Sequence, residues 1–277
     1  MTGTLRSVAA TVTRDPAAFW AHVEGWLAER PMEHNVPATV AAQATDGVFA
    51  WVQDGRGIRG AALRTPPHPL VTSTLDAAAA HELVAAVLAA DPELPGVTGP
   101  EPAARLMAQA WAARTGGSFS PRLGMTLYGL EEVVPPPNPP AGRPRLASVA
   151  ERELLLAWAD GFTRETTTAG APPEVAVDRR MEEDRLFVWD DDGATSMVGT
   201  SPPVAGVVRV SMVYTPPETR GHGYASALVA DVCRRALAAG STCCILYADR
   251  ANETANRVYQ AVGFRPLAQA QEYSFAR

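Results

Sequence analysis

The chain has 277 residues, 47% of them hydrophobic and 19% charged, which is enough apolar material to bury a sizeable core in one or two domains and argues against general disorder. All 24 basic residues are Arg, and the net charge of -6 excludes a scaffold that would grip nucleic acid through a basic surface. The stretch MTGTLRSVAATVTRDPAAFW has neither the apolar core of a signal peptide nor the length to span a bilayer, so a cytoplasmic location without a membrane partner is the expectation.

From the start of the chain, residues 16–29 read as a helix with Phe19, Trp20, Val23 and Trp26 on one face. VFAWVQDGRGIRGAALRT reads as a hairpin turning at Asp54-Gly55-Arg56-Gly57. A helix over Ala77 to Ala90, a strand over Gly96 to Thr98, a helix from Pro102 to Arg114 stopped by Gly116-Gly117, and a strand over Met125 to Leu130 complete an α/β or α+β half. VVPPPNPPAGRPR, residues 133–145, has too many prolines for a helix or central strand, so it is read as a stiff linker between domains 1–132 and 146–277.

After it come a helix over Ala150 to Thr163, strands over Leu186 to Trp189 and Ser196 to Gly199 around Asp190-Asp191-Asp192-Gly193, and a strand over Val207 to Tyr214. A helix then carries Leu228, Val229, Val232, Ala236 and Leu237 at helical spacing and ends at Gly240. A strand over Cys243 to Ala248, a helix over Glu253 to Val262 and closing strands over Arg265 to Phe275 follow. Cys233, Cys243 and Cys244 are expected to be buried thiols, because neighbouring strand residues point to opposite faces and match no zinc-ligand spacing. The five His residues are likewise scattered, and no metal is expected. The halves share an order of elements, so an internal duplication is plausible, although no repeat is visible residue by residue.

The turn Gly221-His222-Gly223, between a strand and a helix, suits an anion, since the helix start offers free N–H groups and the positive end of its dipole. A P-loop requires Lys, which this sequence lacks. A dinucleotide fingerprint fails because Ser226 stands at the third glycine position and six residues, Thr215 to Arg220, separate Tyr214 from the first glycine. Taken singly, the glycines could serve only a tight turn, Tyr259 only packing and Asn252 only a helix cap.

Together, Arg220-Gly221-His222-Gly223-Tyr224-Ala225 and the downstream ANETANRVYQAVGF, residues 251–264, resemble the two hallmarks of the GCN5-related N-acetyltransferases (GNAT). The resemblance implies a mixed, mostly antiparallel central sheet flanked by helices, with acetyl-CoA as cosubstrate. It also implies that Arg220, Gly221, His222, Gly223, Tyr224 and Ala225 form the pyrophosphate loop, with Asn252 in the second hallmark. Backbone near Val213 and Thr215 would hold the pantetheine arm in a gap between the strands 207–214 and 243–248, where a free N–H could polarise the thioester carbonyl. An acceptor amine would attack directly, and Tyr259 stands where the family often has a general acid for the departing thiolate.

Arg209 and Ser211 share a strand face and are candidate acceptor contacts, Arg209 for a carboxylate or phosphate. Glu183, Asp184, Glu218 and Asp249 are candidate bases or water-holders, although the ordinary reading of each is a solvated surface charge. The N-terminal half lacks a comparable loop, its nearest string being Gln53 to Ala61, so it reads as a degenerate GNAT-like or accessory domain without a second cofactor site. It could wall the acceptor site or form a homodimer interface. The expected function is transfer of an acetyl group to a small-molecule amine or a peptide N-terminus; the alternative is a non-catalytic acyl-CoA-binding or sensing protein.

Overall fold

The computed structural model describes residues 9–166 and 172–277. The chain divides into two compact units, one taking it up to Met125 together with Ala268–Arg277, the other comprising Thr126–Leu267. Each is a mixed α/β unit whose mostly antiparallel sheet is flanked by helices.

In chain order the elements reaching the first unit are β1 (Ala9–Thr13), α1 (Pro16–Ala28), α2 (Asn35–Gln43), β2 (Val48–Asp54), β3 (Gly57–Arg64) and β4 (Leu70–Thr72). They continue with α3 (Ala77–Ala90), β5 (Gly96–Pro100), α4 (Glu101–Thr115) and β6 (Ser118–Leu130), whose later residues pass into the second unit. There follow β7 (Arg143–Leu146), α5 (Arg152–Thr166), α6 (Pro173–Glu182), β8 (Leu186–Asp190), β9 (Ala194–Thr200) and β10 (Val207–Tyr214). The last elements are α7 (Tyr224–Ala238), β11 (Cys243–Asp249), α8 (Glu253–Val262) and β12 (Arg265–Ala276).

The first unit orders its strands β1-β2-β3-β4-β5-β12. Both faces of β2 are covered, as the alternation of a strand allows. Val48, Ala50 and Val52 join a core with Leu83 and Val87 of α3 and Met107 and Trp111 of α4. Phe49, on the opposite face, meets Phe19 of α1 at 5.4 Å between ring centres. The hairpin turns where expected, with Asp54 opposite Gly57. The buried stripe of α1 is Phe19, Val23 and Leu27, while Trp20 and Trp26 lie at its margins and Trp26 stacks on His34 at 4.8 Å.

The second unit orders its strands β6-β11-β10-β9-β8-β7. On one face, Val208 and Val210 of β10 meet Leu228, Val229 and Val232 of α7. On the other, Met197 of β9 and Met212 of β10 meet Leu155 and Trp158 of α5 and Val177 of α6. Each fully buried Leu here contributes roughly 1.5–3 kcal/mol. All three cysteines are buried thiols, as their sequence setting suggested.

The compact units differ from the expected division at residues 133–145 in two ways. That stretch lies within the second unit, and its end forms β7, with Pro144 opposite Trp189 of β8. A proline is compatible with β7 because the strand closes the sheet order, leaving one side that needs no N–H donor. The second difference is β12, a single strand whose Ala270 to Ser274 pair with Pro100 to Gly96 of β5, so the end of the chain completes the first unit. β1, α2, β4, β7 and α6 were not anticipated, being short, proline-bearing or weakly amphipathic.

Candidate active site

β10 and β11 run parallel and pair from Val207↔Cys243 to Arg209↔Ile245; the register ends there although both strands continue. On its other side β10 pairs with β9 at Ser211↔Gly199 and next at Tyr214↔Met197, so Met212 and Val213 fall out of the ladder. Met212 takes a φ of +50°, the signature of a bulge. The bulge shifts the alternation by one residue: Arg209 and Ser211 oppose the α7 face of Val208 and Val210, yet Met212 joins the core beneath α5 and α6, and Val213 returns to the α7 side. Between β10 and β11 there is thus a gap in the pairing, beside which Met212 and Val213 lie outside both ladders.

β10 leads into the loop that starts α7. Gly221 and Gly223 have φ of +85° and +83°, and a Cβ at either would meet nothing within 4 Å. The glycines thus answer to backbone conformation and leave open space in front of it. α7 starts at Gly223 without a side-chain cap and without an acid in its first turn, so its leading N–H groups and dipole stay available to an anion.

The loop is strapped from behind. Arg220 donates from Nε to the Thr215 carbonyl at 2.8 Å and from Nη2 to both oxygens of Glu165 on α5 at 2.8 and 2.9 Å. Its side chain therefore anchors the loop to α5. Thr219 Oγ1 donates to the Thr195 carbonyl at 2.9 Å, His222 stacks on Tyr224 at 5.4 Å, and the Tyr224 hydroxyl donates to Asp191 at 2.6 Å. Thr215 and Ser196 share a hydroxyl contact of 2.9 Å, and Ser196 also donates to the Tyr214 carbonyl at 3.1 Å. Such bracing lowers the ordering cost of binding.

Asn252 caps α8 by accepting from the Ala255 N–H at 3.0 Å. Asn256 donates to the Asp249 and Asn252 carbonyls at 2.9 and 2.8 Å and accepts from the Tyr128 hydroxyl at 3.0 Å. α8 is thereby fixed at its base. Tyr259 and Val213 pack against the same cluster, which includes Leu246 and Ala248 of β11. The Tyr259 ring meets Phe264 edge-on at 6.1 Å, and burial pushes its hydroxyl pKa up to about 12.

Among the described residues, the four candidate bases occupy separate settings. Glu183 pairs with Arg185, and Asp249 accepts from the Ala251 N–H at 2.9 Å in a turn that starts α8. Asp184 sits at a φ of +51°, and Glu218 is exposed in the short turn Pro217–Thr219. Sequence reasoning missed Arg180 of α6, which donates to Ser211 Oγ at 3.3 Å and so joins the face that carries Arg209. It also missed the supports Glu165, Asp191, Ser196, Tyr128 and Asn256. Except for the bonds of Asn256 to Asp249 and Asn252, their partners lie far away in the chain, and no local pattern marks them.

A strand pair that parts beside a bulge, followed by an uncapped helix with a glycine loop, defines the class. Residues 152–264 match the Acetyltransferase (GNAT) family model, which marks a GNAT domain in that part of the chain. The same fold occurs in a GCN5-related N-acetyltransferase from Sphaerobacter thermophilus, with a TM-score of 0.63 and 15% identity over 95% of this chain and 94% of that one. A GCN5-related N-acetyltransferase from Kribbella flavida gives a TM-score of 0.62 and 17% identity over 89% and 95%. A tandem GNAT protein from the clavulanic acid biosynthesis pathway gives 0.55 and 16% over 96% and 98%. At these identities the likeness is one of fold. No curated protein matches the sequence.

Proposed function

We propose that this protein is an acyl-CoA-dependent N-acyltransferase that transfers acetyl to a primary amine, a small molecule or a peptide N-terminus, by direct attack. The observation that carries the reading is the continuity of the β10 bulge, the gap beside it and the uncapped start of α7 within one braced segment. Acetyl-CoA supplies the activated acyl group, and the residues present suit it. N–H groups from Gly221 to Ala225 form a nest for the pyrophosphate, with glycines supplying the positive φ of the loop and leaving open space in front of it. Backbone at Met212 and Val213, outside the β9 ladder, offers a hydrogen bond to the pantetheine arm or to the thioester carbonyl.

Tyr259 holds its proton through the working pH range and donates a hydrogen bond to the departing sulfur. A hydroxyl at about pKa 12 is a weaker acid than a thiol at roughly 8 to 9. Its contribution is therefore charge stabilisation as the C–S bond breaks; the proton that finally neutralises the thiolate is the one lost by the attacking amine. An amine arriving uncharged needs no dedicated carboxylate.

The first unit is proposed as a degenerate tandem domain without a cofactor site. The start of α3 is already occupied by the Asp76 carboxylate, which accepts from the Ala79 N–H at 2.9 Å, and α4 carries Glu101 in its first turn. Both acids compete with a phosphate where α7 has none.

Melting with acetyl-CoA and with NAD tests the reading, together with release of CoA thiol across a panel of primary amines. Acetyl-CoA at a hundredfold excess over its dissociation constant should stabilise by about 3 kcal/mol, with binding near one per chain. A shift with NAD alone, or none with acetyl-CoA, overturns the proposal; a shift without thiol release from any amine favours a binding module instead.

A further inference from the structure

Arg180 is held over Gly199 of β9, where an added Cβ would come within 2.7 Å of its Cδ and 2.8 Å of its Nε. Nη1 donates to the Ala176 carbonyl at 2.8 Å and Nη2 to Ser211 Oγ at 3.3 Å, both uncharged acceptors. Nε is buried without a hydrogen-bond partner among the described residues. No carboxylate pairs with Arg180 among the described residues, and segments 1–8 and 167–171 contain no Asp or Glu. The charges that bear on it most are cations, Arg209, Arg185 and Arg179, of which Arg185 is paired with Glu183. Burial first, then Arg209, Arg185 and Arg179, push its pKa down to about 10, and it stays charged at neutral pH. A partly desolvated guanidinium, crowded by like charges and held by neutral groups, is the complement of an anion.

The location gives that anion a role. Ser211 is on the β10 face opposite α7, as is Arg209, the last β10 residue in register with β11 before the gap. We infer that Arg180, together with Ser211 and Arg209, forms the subsite that receives an anionic group, a carboxylate or a phosphate, carried by the acceptor amine. The inference rests on the acyltransferase reading for what the anion belongs to. It does not rest on it for the anion site itself. The planar fork of Arg180 selects oxyanions with two oxygens to offer, and an acceptor held there by its anionic end is oriented as well as bound.

The test titrates inorganic phosphate and, separately, acetate against the melting temperature of the whole chain at saturating acetyl-CoA, which keeps the α7 anion site filled. A saturable rise is expected with one of the two, and the effective anion tells phosphate from carboxylate. In Arg180→Met the midpoint should move at least tenfold to higher anion concentration, and in Arg180→Lys it should lie between the two. Equal responses in wild type and Arg180→Met, or no saturable response to either anion, overturn the inference. If acetyl-CoA itself fails to stabilise the protein, the transferase reading falls; the same titration on Gly223→Asp, whose loop repels anions, then decides the Arg180 site alone.

Discussion

Tyr259 and Arg180 both have shifted pKa values, and burial dominates in each case, with opposite consequences. For Tyr259 burial favours the neutral hydroxyl, the form a donor needs. Tyr259→Phe should lower kcat by about a hundredfold with little change in the KM for acetyl-CoA, since the hydroxyl matters most when sulfur becomes anionic. The wild-type rate should show no descending limb from this group below about pH 11. A variant that keeps kcat within twofold would make Tyr259 a packing aromatic. For Arg180 burial works against the charged form, and the folded pKa of about 10 lies below the ordinary value of an arginine in the unfolded chain. The penalty is fully present below about pH 10 and fades as pH rises above it, where the folded form loses the proton that the unfolded chain still holds. Without ligand, Arg180→Met should therefore melt higher at pH 7, by about 1 kcal/mol or roughly 2–4 °C. An equal or lower melting temperature would mean that the charge is compensated within the protein.

The start of α7 separates backbone conformation from charge. Gly223 has a φ of +83° with open space around a Cβ, so Asp and Asn there carry a similar left-handed cost of about 1 kcal/mol and no clash. Only Asp adds a negative charge, which suits the positive helix end and competes with a phosphate for it. Gly223→Asp should melt close to wild type when free and lose most of its stabilisation by acetyl-CoA, whereas Gly223→Asn keeps it. Equal losses in both variants would trace the effect to the backbone. The turn was legible in the sequence because its glycines answer to a local conformational demand, a positive φ. The gap was expected only from the family resemblance, and the bulge was not anticipated, since nothing in VVRVSMVY marks Met212 for a positive φ. Arg180 was not legible at all. Ser211, which it contacts, is 31 residues away, and only the packing of α6 over β9 brings the two together.

The division of the molecule was the least legible feature, because a strand's sequence states its pattern and not its partner. RPLAQAQEYSFA reads as a terminal strand of whatever domain precedes it, yet its pairing with β5 assigns it to the other unit. Three contacts fix that assignment: Tyr273 lies in the first core, Phe275 stacks on Trp111 at 4.1 Å, and Gln271 donates to the Leu123 carbonyl at 2.9 Å. Glu272 adds an ion pair with Arg122. Losing one buried aromatic of this kind costs about 3–5 kcal/mol, which is comparable with the whole stability of a small domain. A chain ending at Leu267 would also leave β5 with a bare edge. Hydrogen exchange on that truncated chain should show protection lost across β5 and α4, with aggregation on warming. Protection in β5 equal to that of the full chain would show instead that the first unit is complete without β12. Loss of protection would make Ala268–Arg277 a structural part of the first unit, folded only after the intervening second unit has been synthesised.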